Sequence, residues 1–91
     1  IISNMNKDLK KLAKILRLLD VYAKIEEEGT ENEFLCVREK NGNSNYEWQI
    51  WHVGAHYELH LFVNNELVYD QTYLYTTLFV VGQLTSDIQM Y

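Results

Sequence analysis

Three histidines recur at every fourth position, at His52, His56 and His60, and imidazole is the side chain most often used near neutral pH for proton transfer and metal binding. On a helix this spacing would place the rings on one stripe. Gly54 and the β-forming residues around it instead predict two strands joined by a turn. His52 then lies on the opposite face from the other two, which are about 13 Å apart along one strand. Because zinc needs ligand atoms about 2.1 Å away, we predict no metal site and no cofactor.

The remaining candidates for catalysis are one cysteine and scattered carboxylates. Cys36 lies in a strand-like segment, where no helix N-terminus follows it to activate the thiol, and a single cysteine excludes an internal disulfide. No motif selects an acid–base pair among the carboxylates Glu47, Glu58, Glu66 and Asp70. The sequence also lacks a Gly-rich phosphate loop and an HExxH motif. We therefore expect a protein that is not an enzyme and has no catalytic residues.

The elements that position these residues follow from the periodicity of the apolar side chains. An amphipathic helix is predicted over residues 6–20, where leucines recur at intervals of three and four, at Leu9, Leu12, Leu16 and Leu19. From Val21 the period changes to two, and clusters of Gly and Asn residues separate the apolar runs. The predicted strands cover residues 21–26, 33–40, 46–53, 57–63 and 66–70, with a loop at 41–45.

The C-terminal segment has two interpretations. Leu74, Leu78 and Val81 fit one face of a helix, but the same stretch is rich enough in β-branched and aromatic residues for a strand. Because about 14 residues pass without a turn signal, we favour a helix over 72–85. The predicted fold is α+β: an N-terminal helix, an antiparallel meander of four to five strands and a C-terminal helix, with both helices packed on one face of the sheet.

Pairing the third and fourth strands through a turn at 54–55 separates their side chains into two faces. Trp48 then pairs with Leu61 and Ile50 with Leu59 on a face that the helices can cover. This predicted core face collects Tyr46, Trp48, Ile50, Tyr57, Leu59, Leu61 and Val63. The opposite face is mixed and receives Trp51, Val53, His56, Glu58, His60 and Phe62.

More large side chains join this mixed face if residues 64–65 form a second hairpin turn, because Phe62 then pairs with Leu67 and His60 with Tyr69. Such a surface is too apolar to be freely solvated, and exposed apolar patches with aromatic anchors are typical of binding surfaces. We therefore predict that a protein partner, a second copy of the chain being one option, binds to Trp51, His60, Phe62, Leu67 and Tyr69. Two alternatives stay open: a terminus or loop covers the face, or a one-residue slip inverts both faces.

Charge is divided unevenly along the chain, whose net charge is −5. Residues 1–24 carry six bases and two acids, whereas residues 25–91 carry eleven acids and two bases. The net negative charge argues against direct nucleic-acid binding. A basic helix face of Lys7, Lys10, Lys14 and Arg17 suggests weak binding to a membrane or nucleic acid, but we rank this last because the helix's apolar stripe is needed for the core.

Most of the acids near the first predicted hairpin form an acidic edge, consisting of Glu26, Glu27, Glu28, Glu31 and Glu33. Such a run is usually a solvated hairpin, but it could also mimic a phosphate backbone. In size and acidity the chain resembles phage-encoded inhibitors of nucleases, including anti-CRISPR proteins, although no motif matches a particular family. The resemblance implies an alternative function, inhibition of a host nucleic-acid enzyme.

Residues 1–4 precede Met5, and we interpret them as a vector remnant or a disordered end, with a cut from a longer protein as the alternative. Residues 5–91 are then one domain. No stretch approaches the ~18–20 uninterrupted apolar residues of a membrane span, so we expect no membrane association. We expect a cytoplasmic protein, in agreement with its single unpaired thiol.

Overall fold

A computed structural model describes residues 2–39, 45–74 and 77–90, and their side chains at 7–39, 45–70 and 79–90. The elements follow the order α1 (Ile2–Leu18), β1 (Val21–Glu26), β2 (Phe34–Glu39), β3 (Tyr46–Val53), β4 (His56–Val63), β5 (Glu66–Leu74) and α2 (Thr77–Met90). The strands form one antiparallel sheet in sequence order, β1-β2-β3-β4-β5. The predicted α+β meander between two helices is confirmed.

Both helices pack on the same face of the sheet, as predicted. Leu9, Leu12 and Leu16 of α1 and Val80 and Leu84 of α2 are fully buried. They meet the inward side chains of four strands, which include Ala23, Leu35, Val37, Trp48, Ile50, Tyr57, Leu59 and Leu61. The alternation of apolar residues along each strand thus produces one continuous core on the helix side.

The first helix begins earlier and ends earlier than the leucine pattern predicts. It starts at Ile2 and ends at Leu18, so Leu19 lies outside it and is 49% exposed. Asp20 adopts a left-handed conformation with φ of 63°, and its N–H donates to the carbonyl of Arg17. This reversal at the C-terminus turns the chain directly into β1 and removes Leu19 from the predicted core face.

The two predicted hairpin turns are both confirmed. Gly54 has φ of 59° between β3 and β4, and Asn64 and Asn65 have φ of 54° and 67° between β4 and β5. Positive φ at these positions matches the turn types whose twist suits a two-residue hairpin. The β3–β4 register follows as predicted, with Ile50 opposite Leu59. The loop predicted at 41–45 lies, except for Asn45, outside the described residues.

The fifth strand differs from its prediction in both length and register. It extends to Leu74 instead of ending at residue 70, so α2 begins at Thr77 rather than at residue 72. Pairing with β4 continues to Leu74, which lies opposite Tyr57. In this part of the segment the β-forming composition determines the structure, because a paired edge strand satisfies backbone groups that the start of a helix would leave unpaired.

A candidate binding face on the open side of the sheet

The face of the sheet opposite the helices, here called the outer face, is the candidate site. Trp51, His60, Phe62 and Leu67 lie on it because their register positions alternate with those of the core residues. Both helices pack on the other side, and within the described ranges no helix or strand covers the outer face. Leu67 is 51% exposed. Of the two alternatives, the register slip is therefore wrong, and no described element provides internal coverage.

Four rings form an aromatic row across three strands of the outer face. Phe34 of β2 stacks on Trp51 of β3, with ring centroids 4.7 Å apart and planes 19° apart. Trp51 in turn lies 6.4 Å from the ring of His60, which lies 6.5 Å from Phe62. Offset contacts of this kind stabilise the arrangement by about 0.5–1.5 kcal/mol per pair. These contacts therefore restrict the rotamers that the four side chains can adopt.

Hydrogen bonds link the polar side chains beside the aromatic row into a chain. The indole Nε1 of Trp51 donates to Gln49 Oε1 at 3.1 Å, and Gln49 Nε2 donates to Glu47 Oε2 at 2.8 Å. Arg38 Nη2 donates to the other oxygen of Glu47 at 2.8 Å. Burial acts to raise the pKa of Glu47, but the hydrogen bonds from Gln49 and Arg38 outweigh it and hold the pKa below its usual value. The network therefore stays charged and internally satisfied at neutral pH.

The three histidines separate as the hairpin prediction requires. On the outer face, His60 Nε2 lies 3.2 Å from Glu58 Oε1 and His56 Nε2 lies 3.6 Å from Glu58 Oε2. His52 faces the helices instead, where its ring stacks on Tyr57 with centroids 4.6 Å apart. Its Nδ1 lies 3.7 Å from Asp8 Oδ2 of α1. In the part of the chain that the structure describes, no group of three His, Cys, Asp or Glu residues is placed to hold a metal ion.

Cys36 lies on the outer face but is covered by its neighbours, with 3% of its surface exposed. The pKa of its thiol is raised to about 11, mainly by burial, and the nearby carboxylate of Glu47 contributes more to this rise than Arg38 opposes it. A thiol with this pKa is protonated at neutral pH, and the thiolate is the reactive form. Cys36 therefore packs as a small apolar residue between its register partners, Lys24 on β1 and Gln49 on β3.

One residue predicted for the binding face lies on the other side of the sheet. Tyr69 pairs with Leu61 and packs against the core, whereas Phe62 pairs with Leu67 as predicted. The difference is a bulge in β5, which places an extra residue, Val68, between the two pairs. The predicted pairing of His60 with Tyr69 is therefore wrong, and His60 lies opposite Asp70.

Phe34 is the outer-face residue that the sequence reasoning missed. It starts β2 and alternates with Leu35 and Val37, which are fully buried in the core. This alternation was readable in the sequence, because assigning Leu35 and Val37 to the core places Phe34 and Cys36 on the opposite face. The same parity argument that identified Trp51 would have included Phe34.

The acidic edge is less continuous than its sequence suggests. Glu33 is 7% exposed, and its Oε2 accepts a hydrogen bond from the N–H of Gly29 at 2.8 Å, so its predicted place on the acidic surface is wrong. Glu28 Oε2 lies 3.3 Å from Lys10 Nζ of α1. Glu27 and Glu31 are exposed, and Glu26 is half-buried at the end of β1. Folding thus uses one of these carboxylates in a turn and pairs another with the basic helix.

No protein family, curated protein or solved structure matches the chain, so similarity supplies no function. Among the described residues, neither helix combines the length and the apolar character that crossing a membrane requires. The outer face is therefore assigned as the candidate site from its geometry alone.

Proposed function

We propose that this protein is a non-enzymatic interaction module that binds protein through its outer face, and that a second copy of the chain is its partner. The observation that carries the proposal is the aromatic row, which lies on a rigid sheet face that no described helix or strand covers. Preorganised aromatic side chains on such a face are typical of binding hot spots. We expect the protein to act in the cytoplasm, where the single thiol of Cys36 stays reduced.

The distribution of charge on the outer face favours a second copy as the occupant. The β1–β2 half carries Lys24 and Arg38, with Glu26 as an exception at the end of β1, whereas the β4–β5 half carries Glu58 and Asp70. A two-fold axis parallel to the strands would place the β1–β2 half of one copy over the β4–β5 half of the other. Lys24 of one copy would then face Asp70 of the other, because the strand register places both at the same level of the sheet as Gln49.

The area of the face predicts a weak, concentration-dependent dimer. Five strands spaced ~4.8 Å apart, each with about six residues at ~3.3 Å, cover roughly 500 Å² on each copy. The total of about 1,000 Å² lies near the lower limit for specific interfaces. Because Gln49, Glu47 and Arg38 already satisfy one another, their burial would leave few polar groups unpaired. We expect a micromolar dissociation constant.

A charge-swap experiment tests the two-fold arrangement directly. Sedimentation equilibrium over a wide concentration range should show a reversible dimer, which Asp70→Lys and Lys24→Glu should each weaken by about tenfold. Combining the two substitutions should restore the wild-type affinity, because the opposite charges are then exchanged rather than lost. Both side chains are exposed, so the fold should tolerate the changes.

Truncation of the aromatic row provides the second arm of the experiment. Trp51→Ala should abolish dimerisation, and Leu18→Ala is the matched control because Leu18 is 85% exposed but lies at the end of α1. A wild-type chain that remains monomeric at every concentration would contradict self-association. A double charge variant no stronger than the single variants would contradict the two-fold arrangement.

The alternative of an acidic inhibitor receives less support from the geometry. Such a protein needs a continuous row of solvent-facing carboxylates to replace phosphates. Here Glu33 is buried in a turn and Glu28 pairs with Lys10, so the predicted row is interrupted at two of its five positions.

A further inference from the structure

A basic groove lies on the helix side of the sheet, between α1 and β1. Its volume is about 760 Å³, and it is lined by five cationic residues of α1 and, from the edge of β1, by Lys24, whose position in the strand is on the outer face: Lys7, Lys10, Lys11, Lys14, Arg17 and Lys24. These are six of the eight bases in a chain of net charge −5. The groove therefore combines a local excess of positive charge with a concave shape, and it shares Lys24 with the outer face but contains no residue of the aromatic row.

Most of the positive charge in this groove is not neutralised by the protein itself. Lys10 pairs with Glu28 at 3.3 Å, so one carboxylate of the chain already occupies part of the groove. Lys7, Lys11 and Lys14 form no ion pair with any described residue, although Asp8 also lines the cavity. Lysines this close repel one another, and a ligand with several negative charges would relieve that repulsion.

The strand that borders the groove presents backbone hydrogen-bonding groups to it. β1 is at one end of the sheet and pairs with β2 along its other side. Nε and Nη2 of Arg17 donate to the carbonyl of Ala23 at 3.0 and 2.7 Å, so this carbonyl points away from β2. Because peptide groups alternate in direction along an antiparallel strand, Val21 and Ile25 share that orientation.

From the groove and the strand edge together, we propose that an extended acidic peptide segment of a partner protein binds here by adding a strand to β1. Strand addition supplies main-chain hydrogen bonds, while alternate side chains of the peptide point towards α1. Alternate residues of a strand are ~6.6 Å apart, and lysines three or four residues apart on a helix differ by ~4.5–6 Å in height. Carboxylates at alternate peptide positions can therefore meet Lys7, Lys11 and Lys14.

The strand edge distinguishes a peptide from a nucleic acid as the occupant. Either polyanion would satisfy the lysines, but a nucleic-acid backbone has no amide ladder to pair with β1. A peptide N–H could replace Arg17 as the donor to Ala23, which would free the guanidinium for a carboxylate. The backbone contacts therefore favour a peptide, and an oligonucleotide becomes the competing outcome of the test.

Fluorescence anisotropy with labelled peptides tests the charge pattern. A peptide of alternating glutamate and valine should bind at low salt at least about tenfold more tightly than the same sequence with glutamine, and more tightly than an isomer with its glutamates in one block. The triple variant Lys7→Gln, Lys11→Gln, Lys14→Gln should weaken binding by about tenfold. Circular dichroism checks that this variant is folded, and Trp51→Ala should leave peptide binding unchanged because it affects the outer face alone.

Backbone methylation of the peptide separates strand addition from simple charge attraction. N-methyl groups on the alternate amides that face β1 should abolish binding, whereas methylation of the other set should preserve it. Equal tolerance of both sets would overturn strand addition. Equal or tighter binding of a single-stranded oligonucleotide of the same charge, or no binding of the alternating peptide, would overturn the peptide assignment.

Discussion

At the scale of single residues, burial decides which chemically capable side chains are available at the surface. Glu33 and Cys36 belong to residue types that the sequence presents as a charge and a nucleophile. In the structure Glu33 closes the turn after β1, and Cys36 lies beneath its neighbours on the outer face. Both side chains therefore contribute to stability, and each role can be measured.

Replacing Glu33 with alanine should destabilise the fold by about 1–3 kcal/mol, because the N–H of Gly29 loses its acceptor in a partly buried turn. Glu31→Ala is the matched control, since Glu31 is exposed in the same loop, and it should change the free energy of unfolding by less than about 0.5 kcal/mol. Urea denaturation of both variants measures the difference. Equal losses of stability in the two variants would show that Glu33 affects the fold through its charge alone, and not through the hydrogen bond to Gly29.

The thiol of Cys36 should resist alkylation in the native state and react at the rate of a free cysteine in denaturant. Burial raises its pKa from 9.0 to about 11, so little thiolate is present at neutral pH. The free energy that this thiol contributes to the folded state is fully present below 9.0, the pKa of the thiol in the unfolded chain. It is lost as the pH rises towards 11. Between these two pKa values, the unfolding free energy should therefore fall more steeply for the wild type than for Cys36→Ala. Rapid native alkylation at pH 7 would contradict the assigned burial.

At the scale of elements, β5 shows how one inserted residue redistributes side chains between faces. The bulge at Val68 turns Tyr69 towards the core, while Leu67 keeps the outward position that its turn predicts. The strand then continues opposite β4 and delays the start of α2 to Thr77. The width of the outer face thus depends on an irregularity in its edge strand.

The bulge predicts different costs for truncating two nearby residues of β5. Tyr69→Ala should destabilise the monomer by about 2–4 kcal/mol, because the ring packs against the core. Leu67→Ala should cost less than about 1 kcal/mol, since the side chain is 51% exposed. Thermal unfolding at low protein concentration, where dimerisation contributes little, provides the comparison. A loss for Tyr69→Ala no larger than that for Leu67→Ala would indicate the regular register, in which both side chains lie on the outer face.

At the scale of the whole molecule, folding separates two surfaces of different character. The aromatic row occupies one side of the sheet, and the basic groove lies on the helix side, beside β1. The uneven charge of the sequence is only partly neutralised between its halves, through contacts such as Lys10 with Glu28. The two proposed binding sites therefore lie on different sides of the sheet.

If the outer face dimerises, thermal stability should depend on protein concentration. A dimer that forms only from folded chains raises Tm as the concentration increases. The wild type should show this increase, and Trp51→Ala should show a constant Tm. Differential scanning calorimetry over a concentration series makes the measurement, with Leu18→Ala expected to behave as the wild type does. A wild-type Tm independent of concentration would argue against the dimer.

The sequence by itself determined the order of the elements and the register of the β3–β4 hairpin. Apolar periodicity and the turn residues Gly54, Asn64 and Asn65 are local signals, and a two-residue turn fixes the strand pairs next to it. Tertiary structure decided the bulge at Val68, the burial of Glu33 and the alignment of the lysines of α1 with the edge of β1. These features depend on packing between segments distant in sequence, so the free energy that selects them is absent from any local pattern.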